Sequence, residues 1–412
     1  MGAVLLSPLY LLLNLYLAAR LLLWFSTLHS VLGSLWFKIP FLICYVLVAL
    51  TPLTAAVAGG KWKARSKRIS NYWLGALMYL LIFLLLADLI RIIYWLLHDQ
   101  SVFTPFPSDV YRITGTVTIL VPLLLSLYGI RHASHIKKTH YDVEIAKDCP
   151  LPSLKIALLA DLHLGYSVGC RHLQKIKKVV ESIQPDLIVY AGDIFDNEFD
   201  AIDRPDKAAA ILSSISSACG SYACWGNHDI EEMILAGFTF RHGKDGVSSD
   251  PRMEQFLKDA GITLLEDETV LISDSIYLCG RLDVSCPEKS GRPRLSPDRL
   301  ISGLDRKKPV LVMDHQPSQL DELAEAGADL VLSGHTHNGQ LFPGNLVGRI
   351  GWKNPCGKYC HKNMTSIVTS GAGIWGPAMR IGTDSEVVEI TVKFTKNNLS
   401  KKYRSSDCTN FI

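Results

Sequence analysis

LKIALLADLH, residues 154–163, is an apolar run that ends on a carboxylate and an imidazole two positions apart. The same plan recurs along the second half of the chain. Leu187–Ala191 runs into Gly192-Asp193, and Ser221–Trp225 into Gly226-Asn227-His228-Asp229. Val310–Asp314 runs into His315, and Leu330–Ser333 into Gly334-His335-Thr336-His337. Each apolar stretch has the length and bounding residues of a strand. Between the first two, Arg171–Ile183 has the helical spacing of Leu173, Ile176, Val179, Val180 and Ile183. Strands alternating with helices predict a layered α/β fold, and ligand-bearing residues just past strand ends predict a site on one sheet edge. Four further stretches, Ile262–Leu265, Ile276–Gly280, Ile367–Ser370 and Val387–Lys393, fit a second sheet, with the site between the two.

The residue types point to metal chemistry. Asp161, His163, Asp193, Asn227, His315, His335 and His337 offer seven oxygen and imidazole donors, enough for two divalent ions that share one carboxylate. In extended backbone Asp161 and His163 would point the same way, as would His335 and His337. Asp193, with two oxygens, can bridge. Mixed imidazole and carboxylate ligation suits Zn, Mn or Fe better than Ca or Mg. Gly192, Gly226 and Gly334 permit sharp turns and close approach of the chain to an ion. A lone histidine is more often a satisfied structural residue, but five of the chain's 13 histidines fall in these motifs, so the group asks for a chemical explanation.

The ordered set D-x-H, G-D-x-x-D, G-N-H-[DE], a lone His and G-H-x-H resembles the calcineurin-like metallophosphoesterases over roughly Leu154–Lys393. The resemblance implies a four-layer αββα sandwich and a phosphoesterase, a phosphodiesterase before a monoesterase, acting by attack of a metal-bridging hydroxide. It implies one ion on Asp161, His163, Asp193 and His337, and the other on Asp193, Asn227, His315 and His335. His228 would face the substrate phosphate and protonate the leaving oxygen, and Asp196 would hydrogen-bond His228. Asp229 would cap a helix starting Ile230-Glu231-Glu232. Gly334–Pro343 matches the G-H-T-H-x-G-Q and Phe-Pro segment of the family's membrane-associated members, some of which act outside the cytoplasm, on nucleotides or on phospholipid-like diphosphates. Arg380 is read as surface or structural before phosphate-binding. Asn338 and Gln340 line the pocket or turn the chain, and Asp283 is a loop carboxylate.

The first third is of another kind. Hydrophobic residues make up 48% of the chain and the mean hydropathy is +0.19; the excess lies before residue 131. Leu5–Phe25, Leu35–Ala58, Trp73–Leu97 and Ile113–Ile130 each approach the ~20 residues that cross a bilayer, and the first lacks the basic start and cleavage site of a signal peptide. This predicts a membrane region over 1–135, a catalytic domain over 150–395 and a polar tail over 396–412, in a multi-pass protein of the plasma membrane. Lys61, Lys63, Arg65, Lys67 and Arg68, with Arg131, Lys137 and Lys138, place the catalytic half in the cytoplasm if four spans are counted. Asp88 and Arg91 read as a mutually neutralising pair in the third span rather than an ion path.

The net charge of +3 leaves no electrostatic footprint for nucleic acid. No P-loop, zinc-finger spacing or serine elbow is present. Cys356, Cys360 and His361 have the wrong spacing for a zinc knuckle, and Cys219 and Cys224 read as packing residues. Two other classes compete: a non-catalytic membrane scaffold or sensor, which a missing ligand would have favoured, and a transporter, which needs polar residues in several spans. Within enzymes, a lipid-linked phosphodiesterase or pyrophosphatase drawing substrate from the bilayer is the alternative, with Gly371–Met379 as an apolar lip.

Overall fold

The computed structural model describes residues 2–97, 108–229, 233–235, 238–240, 250–284 and 293–395. The polar tail expected over 396–412 lies outside them. The chain divides into two compact units: Met1–Arg131 with Ile234–Phe240 and Gly376–Met379, and the remainder.

The first unit is built of apolar helices: α1 (Gly2–Leu28), α2 (Leu35–Ala49), α3 (Thr51–Val57), α4 (Gly60–Leu97) and α5 (Ser108–Ala133). Three are long and apolar enough to cross a membrane, over Ser7–Leu28, Gly60–Leu97 and Asp109–Ala133. The second expected span is not one straight helix. It breaks at Leu50 with a 46° bend between α2 and α3, where Pro52 enters the first turn of α3 and cannot donate into the preceding turn. The described residues therefore carry three spans, or four if the bent pair crosses. Leu17, Leu21, Tyr45, Leu77, Leu80, Leu84 and Ile119 form a common core. Asp88 takes its close partner from α1, not from its own helix: Arg20 Nη2 lies 2.9 Å away and Tyr16 donates to its other oxygen, whereas Arg91 stands at 3.8 Å and donates to Tyr111. The charge inside the span is neutralised between helices.

The second unit holds two six-stranded sheets. The first has the order β1 (Ile136–Ile145), β14 (Ser385–Phe394), β2 (Ser153–Leu159), β3 (Leu187–Ala191), β4 (Ser221–Cys224) and β7 (Thr263–Leu264). The second has β12 (Gly357–His361), β13 (Met364–Val368), β11 (Leu330–Ser333), β10 (Val310–Met313), β9 (Ile276–Gly280) and β8 (Glu268–Ile272). A short pair, β5 (Met233–Leu235) with β6 (Phe238–Phe240), stands apart.

Strand alternation builds the layers. In β2, Ile156 and Leu158 face the space between the sheets, while Ala157 and Leu159 face α6 (Cys170–Ile183), α7 (Pro205–Ser213) and α8 (Pro251–Asp259). In β10, Leu311 and Met313 face the same inner space, while Val310 and Val312 face α9 (Pro297–Ile301) and α10 (Leu320–Ala326). The result is the expected four-layer αββα sandwich, each fully buried Leu, Ile or Val contributing roughly 1.5–3 kcal/mol. Helix α6 buries Leu173, Ile176, Val180 and Ile183 and ends on Gln184 in the left-handed region.

Sheet membership departs from the sequence reading. Of the four stretches assigned to a second sheet, those giving β7 and β14 join the first. β14 lies between β1, which it pairs in parallel, and β2, which it pairs antiparallel. β1 itself falls between the two regions expected over 1–135 and 150–395, in residues assigned to neither. Cys356 is a free thiol, Cys360 is disulfide-bonded, and His361 Nε2 lies 3.4 Å from Asp321, so these three form no zinc site. Cys219 and Cys224 are free, the second fully buried.

Candidate metal centre

β2, β3 and β4 run parallel in one sheet, and β9, β10, β11 and β13 in the other. Their carboxyl ends carry the ligand-bearing loops. The polypeptide there is tightly wound. Asp161, His163, Asp193, His335 and His337 all have positive φ, from 46° to 72°. This corrects the expected extended geometry: Asp161 and His163 converge through left-handed turns, not through strand alternation. Such conformations cost about 1–3 kcal/mol each in non-glycine residues and gather at functional sites.

Glycine gives the ions room. A Cβ on Gly226 would stand 2.2 Å from Asp193 Oδ1, and one on Gly334 would stand 2.4 Å from Asp161 Oδ2. Gly192 meets both needs, with φ 82° and a Cβ that would reach 2.5 Å from His315 Nδ1.

The turns bring the candidate donors into two groups, Asp161–His163–His337 and Asp193–His315–His335. In the first, His163 Nε2 and His337 Nε2 are 3.0 Å apart, and His337 Nε2 is 3.5 Å from Asp161 Oδ1. In the second, Asn227 Oδ1 lies 3.2 Å from His315 Nε2 and 2.8 Å from His335 Nδ1. Asp193 Oδ2 lies 3.1 Å from His315 Nε2 and 3.8 Å from His163 Nε2, so it stands between the groups. Two donors that each bind one ion at ~2.1 Å and at right angles are ~3 Å apart, which is the spacing found. The residues thus fit divalent cations. His315 Nδ1 donates to the Ala191 carbonyl, fixing the tautomer that leaves Nε2 as ligand.

Charge follows burial and pairing. Burial opposes ionisation of both Asp193 and His315, but their mutual attraction prevails. Asp193 is held well below the usual carboxylate range and His315 well above the imidazole range. Burial pushes His335 down to about 3 and His337 also well below its ordinary value, which leaves their lone pairs unprotonated. Burial pushes Asp161 up to about 6.

His228 is buried beside these groups, its backbone N–H donating to Asp193 Oδ1 at 2.7 Å. Its Nδ1 meets Asn197 Oδ1, not Asp196. Asn197 is turned into the left-handed region at φ 63° and donates its backbone N–H to the His228 carbonyl, so both its ends grip the same residue. Asp196 instead approaches His163 Nδ1 at 3.7 Å, and forms a third donor group with His163 and His228. Asp229 is buried and accepts from the backbone N–H groups of Phe195 and Gly226, tying two ligand loops together. The helix it was expected to cap, at residues 230–232, lies outside the described residues.

Arg380 is no surface residue. It is fully buried and donates to the carbonyls of Ser370, Gly371 and Gly373, with Nη2 3.3 Å from His337 Nδ1. Gln340 spends both ends of its amide on the Trp375 backbone and so holds the chain. Asn338, at φ 49°, takes part in the turn after His337. Asp283 is buried and accepts from Gln316. Unforeseen from the sequence are Asn197 and the pair Arg281 and Arg294, which both donate to Asp314 next to His315.

Residues 154–339 match the family model described as calcineurin-like phosphoesterase, a family whose fold generally binds two divalent metals. A transmembrane protein with metallophosphoesterase domain from Danio rerio is 30% identical over 341 residues, covering 78% of this chain and 72% of the relative. An uncharacterized metallophosphoesterase from Helicobacter pylori is 32% identical over 238 residues, 57% of this chain and 58% of the relative, so the chain spans less than two thirds of its length. A UDP-2,3-diacylglucosamine pyrophosphatase of Chlamydia trachomatis is 23% identical over 247 residues, 50% of this chain and 72% of that one. With the family match over the ligand pattern and a relative 30% identical along 78% of this chain and 72% of its own length, the chain belongs to the calcineurin-like phosphoesterases, alongside relatives named as transmembrane proteins.

Proposed function

We propose that this chain is a membrane-anchored phosphoesterase that hydrolyses phosphate esters with two divalent cations. The observation that carries the reading is the placement of Asp193 Oδ2 between His315 and His163, one from each donor group. Asp161, His163, Asp193 and His337 would hold one ion, and Asp193, Asn227, His315 and His335 the other. The donor set favours Zn, Mn or Fe. Such a pair of ions supplies an activated water and neutralises charge on the phosphoryl group.

The protein's own groups do the rest. The Ala191 carbonyl orients His315. His228 Nδ1–H donates to Asn197 Oδ1, which would leave Nε2 as the atom that handles the proton of the departing oxygen. Asp196 supports His163 from behind.

A second reading draws on the Chlamydia trachomatis relative, whose name specifies a lipid-linked diphosphate. A chain held at a bilayer by its spans is suited to a substrate of that class, with a phosphodiester or diphosphate bond as the target.

For orientation, α4 and α5 are each long enough to cross. The basic stretch Lys61–Arg68 forms the first turns of α4, ahead of its apolar part, and the catalytic unit follows α5. Both therefore leave the membrane on one side, whichever way the α2–α3 pair is counted, and the positive charge assigns that side to the cytoplasm.

The test uses the full chain in detergent, because β1 begins at Ile136 and pairs with β14 along its whole length. The protein is stripped of metal, reloaded with Mn or Zn, and assayed on bis-p-nitrophenyl phosphate and p-nitrophenyl phosphate beside Asp193→Ala. Metal-dependent turnover, lost together with metal at both positions in the variant, is the expected result. Full activity of Asp193→Ala with one position empty would sink the bridging role. The preferred ester separates diesterase from monoesterase.

A further inference from the structure

The metal loop runs directly into a helix that faces the wrong way for a soluble domain. After His337 the chain passes Phe342-Pro343 and forms α11 (Gly344–Gly351). Leu346 and Ile350 are four residues apart and Val347 lies beside them, so these three side chains share one face of the helix; Phe342 stands just before it. A surface helix ordinarily turns such a face to the core. Here no residue of α11 is buried. Phe342 and Leu346 are each 48% exposed, Val347 66% and Ile350 88%. Exposed apolar stripes of this kind mark contact surfaces.

Two observations choose the partner. Residues 341–353, LFPGNLVGRIGWK, contain no acidic residue; Lys353 is paired with Asp321, and Arg349, in the last turn of the helix, is the basic residue that complements anionic headgroups. At least three helices among the described residues are also long and apolar enough to cross a membrane, so a bilayer is at hand. We infer that α11 lies in the interface of a lipid bilayer, with Leu346, Val347 and Ile350 below the headgroups and Arg349 among them.

The helix is joined firmly to the metal loop. A Cβ on Gly339 would stand 2.2 Å from Asn345 N. Gly344 N donates to Leu341 O and Thr336 Oγ1 to Pro355 O. The Trp352 ring lies 5.3 Å from that of His335. Helix and ligand loop therefore move as one piece, and the depth of α11 fixes the depth at which the metal centre meets a phosphate. On the phosphoesterase reading, the substrate class is a phosphate ester borne by a lipid headgroup.

The test places the full chain in vesicles of phosphatidylcholine and phosphatidylglycerol. Val347→Cys and, as control, the exposed Lys307→Cys are each labelled with an environment-sensitive fluorophore, and the signal of the labelled parent protein is subtracted. Nitroxide-bearing lipid is expected to quench the probe at 347 at least about twofold more than the probe at 307. Ile350→Glu, added to Val347→Cys, should abolish that difference while metal content stays unchanged. Equal quenching at the two positions overturns the inference. So does cross-linking of 347 between two copies without lipid quenching, which would make the face a subunit interface. Neither readout needs turnover, so the inference and the phosphoesterase reading can fail separately.

Discussion

Asn197 grips His228 twice, through its side chain and its backbone, so the two residues test one another. Removing the amide in Asn197→Ala frees the imidazole to rotate. On the proposed mechanism kcat should fall about 10- to 100-fold with KM and metal content little changed. A kcat within twofold of the parent would remove Asn197 from that role. Asp161 gives a second residue-scale prediction. Its carboxyl is pushed up to about 6 by burial, so it is protonated below that pH and ionised above it. A cation must displace the proton. Metal affinity at the Asp161 position should therefore fall about tenfold per unit as pH drops below 6, with proton release on binding. Calorimetry between pH 5 and pH 8 reads both, and flat affinity would refute it. That Asn197 and not Asp196 hydrogen-bonds His228 Nδ1 was illegible in the sequence. The two are neighbours and both reach the site, Asp196 beside His163, and nothing in their order says which takes the imidazole.

At the scale of elements, the ligand loops owe their shape to space as much as to bonding. Gly226→Ala would drive a methyl into Asp193 Oδ1. The bridging carboxylate must then move, and metal affinity should fall by one to two orders of magnitude, roughly the effect of losing a ligand's support. Metal titration of the folded variant checks this, and parent-like affinity would show that the loop yields freely. The strands bearing Asp161, Asp193, Asn227, His315 and His335 were legible because both faces are buried, which writes near-continuous apolar runs. Their neighbours were not. Periodicity reports that Thr263–Leu264 and Ser385–Phe394 are strands but carries no record of the sheet they join. The left-handed turns at Asp161 and His163 were hidden for a related reason: nothing in the identity of an Asp or His announces positive φ, whereas Pro52, at the bend of the second apolar stretch, was in plain view.

For the whole catalytic unit, stability concentrates where charge is buried. Arg281 is fully buried and Arg294 nearly so, and both converge on Asp314 at 2.6 Å. Asp314→Ala would leave two guanidinium groups without their counter-ion and should cost about 3–5 kcal/mol. Thermal unfolding of the purified protein reads that loss as a clear fall in Tm, and a Tm within a degree of the parent would mean solvent reaches the site. The division between an apolar helical region and an α/β sandwich was legible from hydropathy alone. The parallel pairing of β1 with β14 was not, since it joins residues about 250 apart. That pairing sets a timetable. β14 sits between β1 and β2, so until Ser385–Phe394 leaves the ribosome β1 has no strand to pair with and β2, the strand that leads into Asp161, lacks a neighbour on one side. The apolar helices precede β1 and can insert as they emerge; the sheet beside the candidate metal centre must wait for a strand about 250 residues downstream of β1 before it is complete.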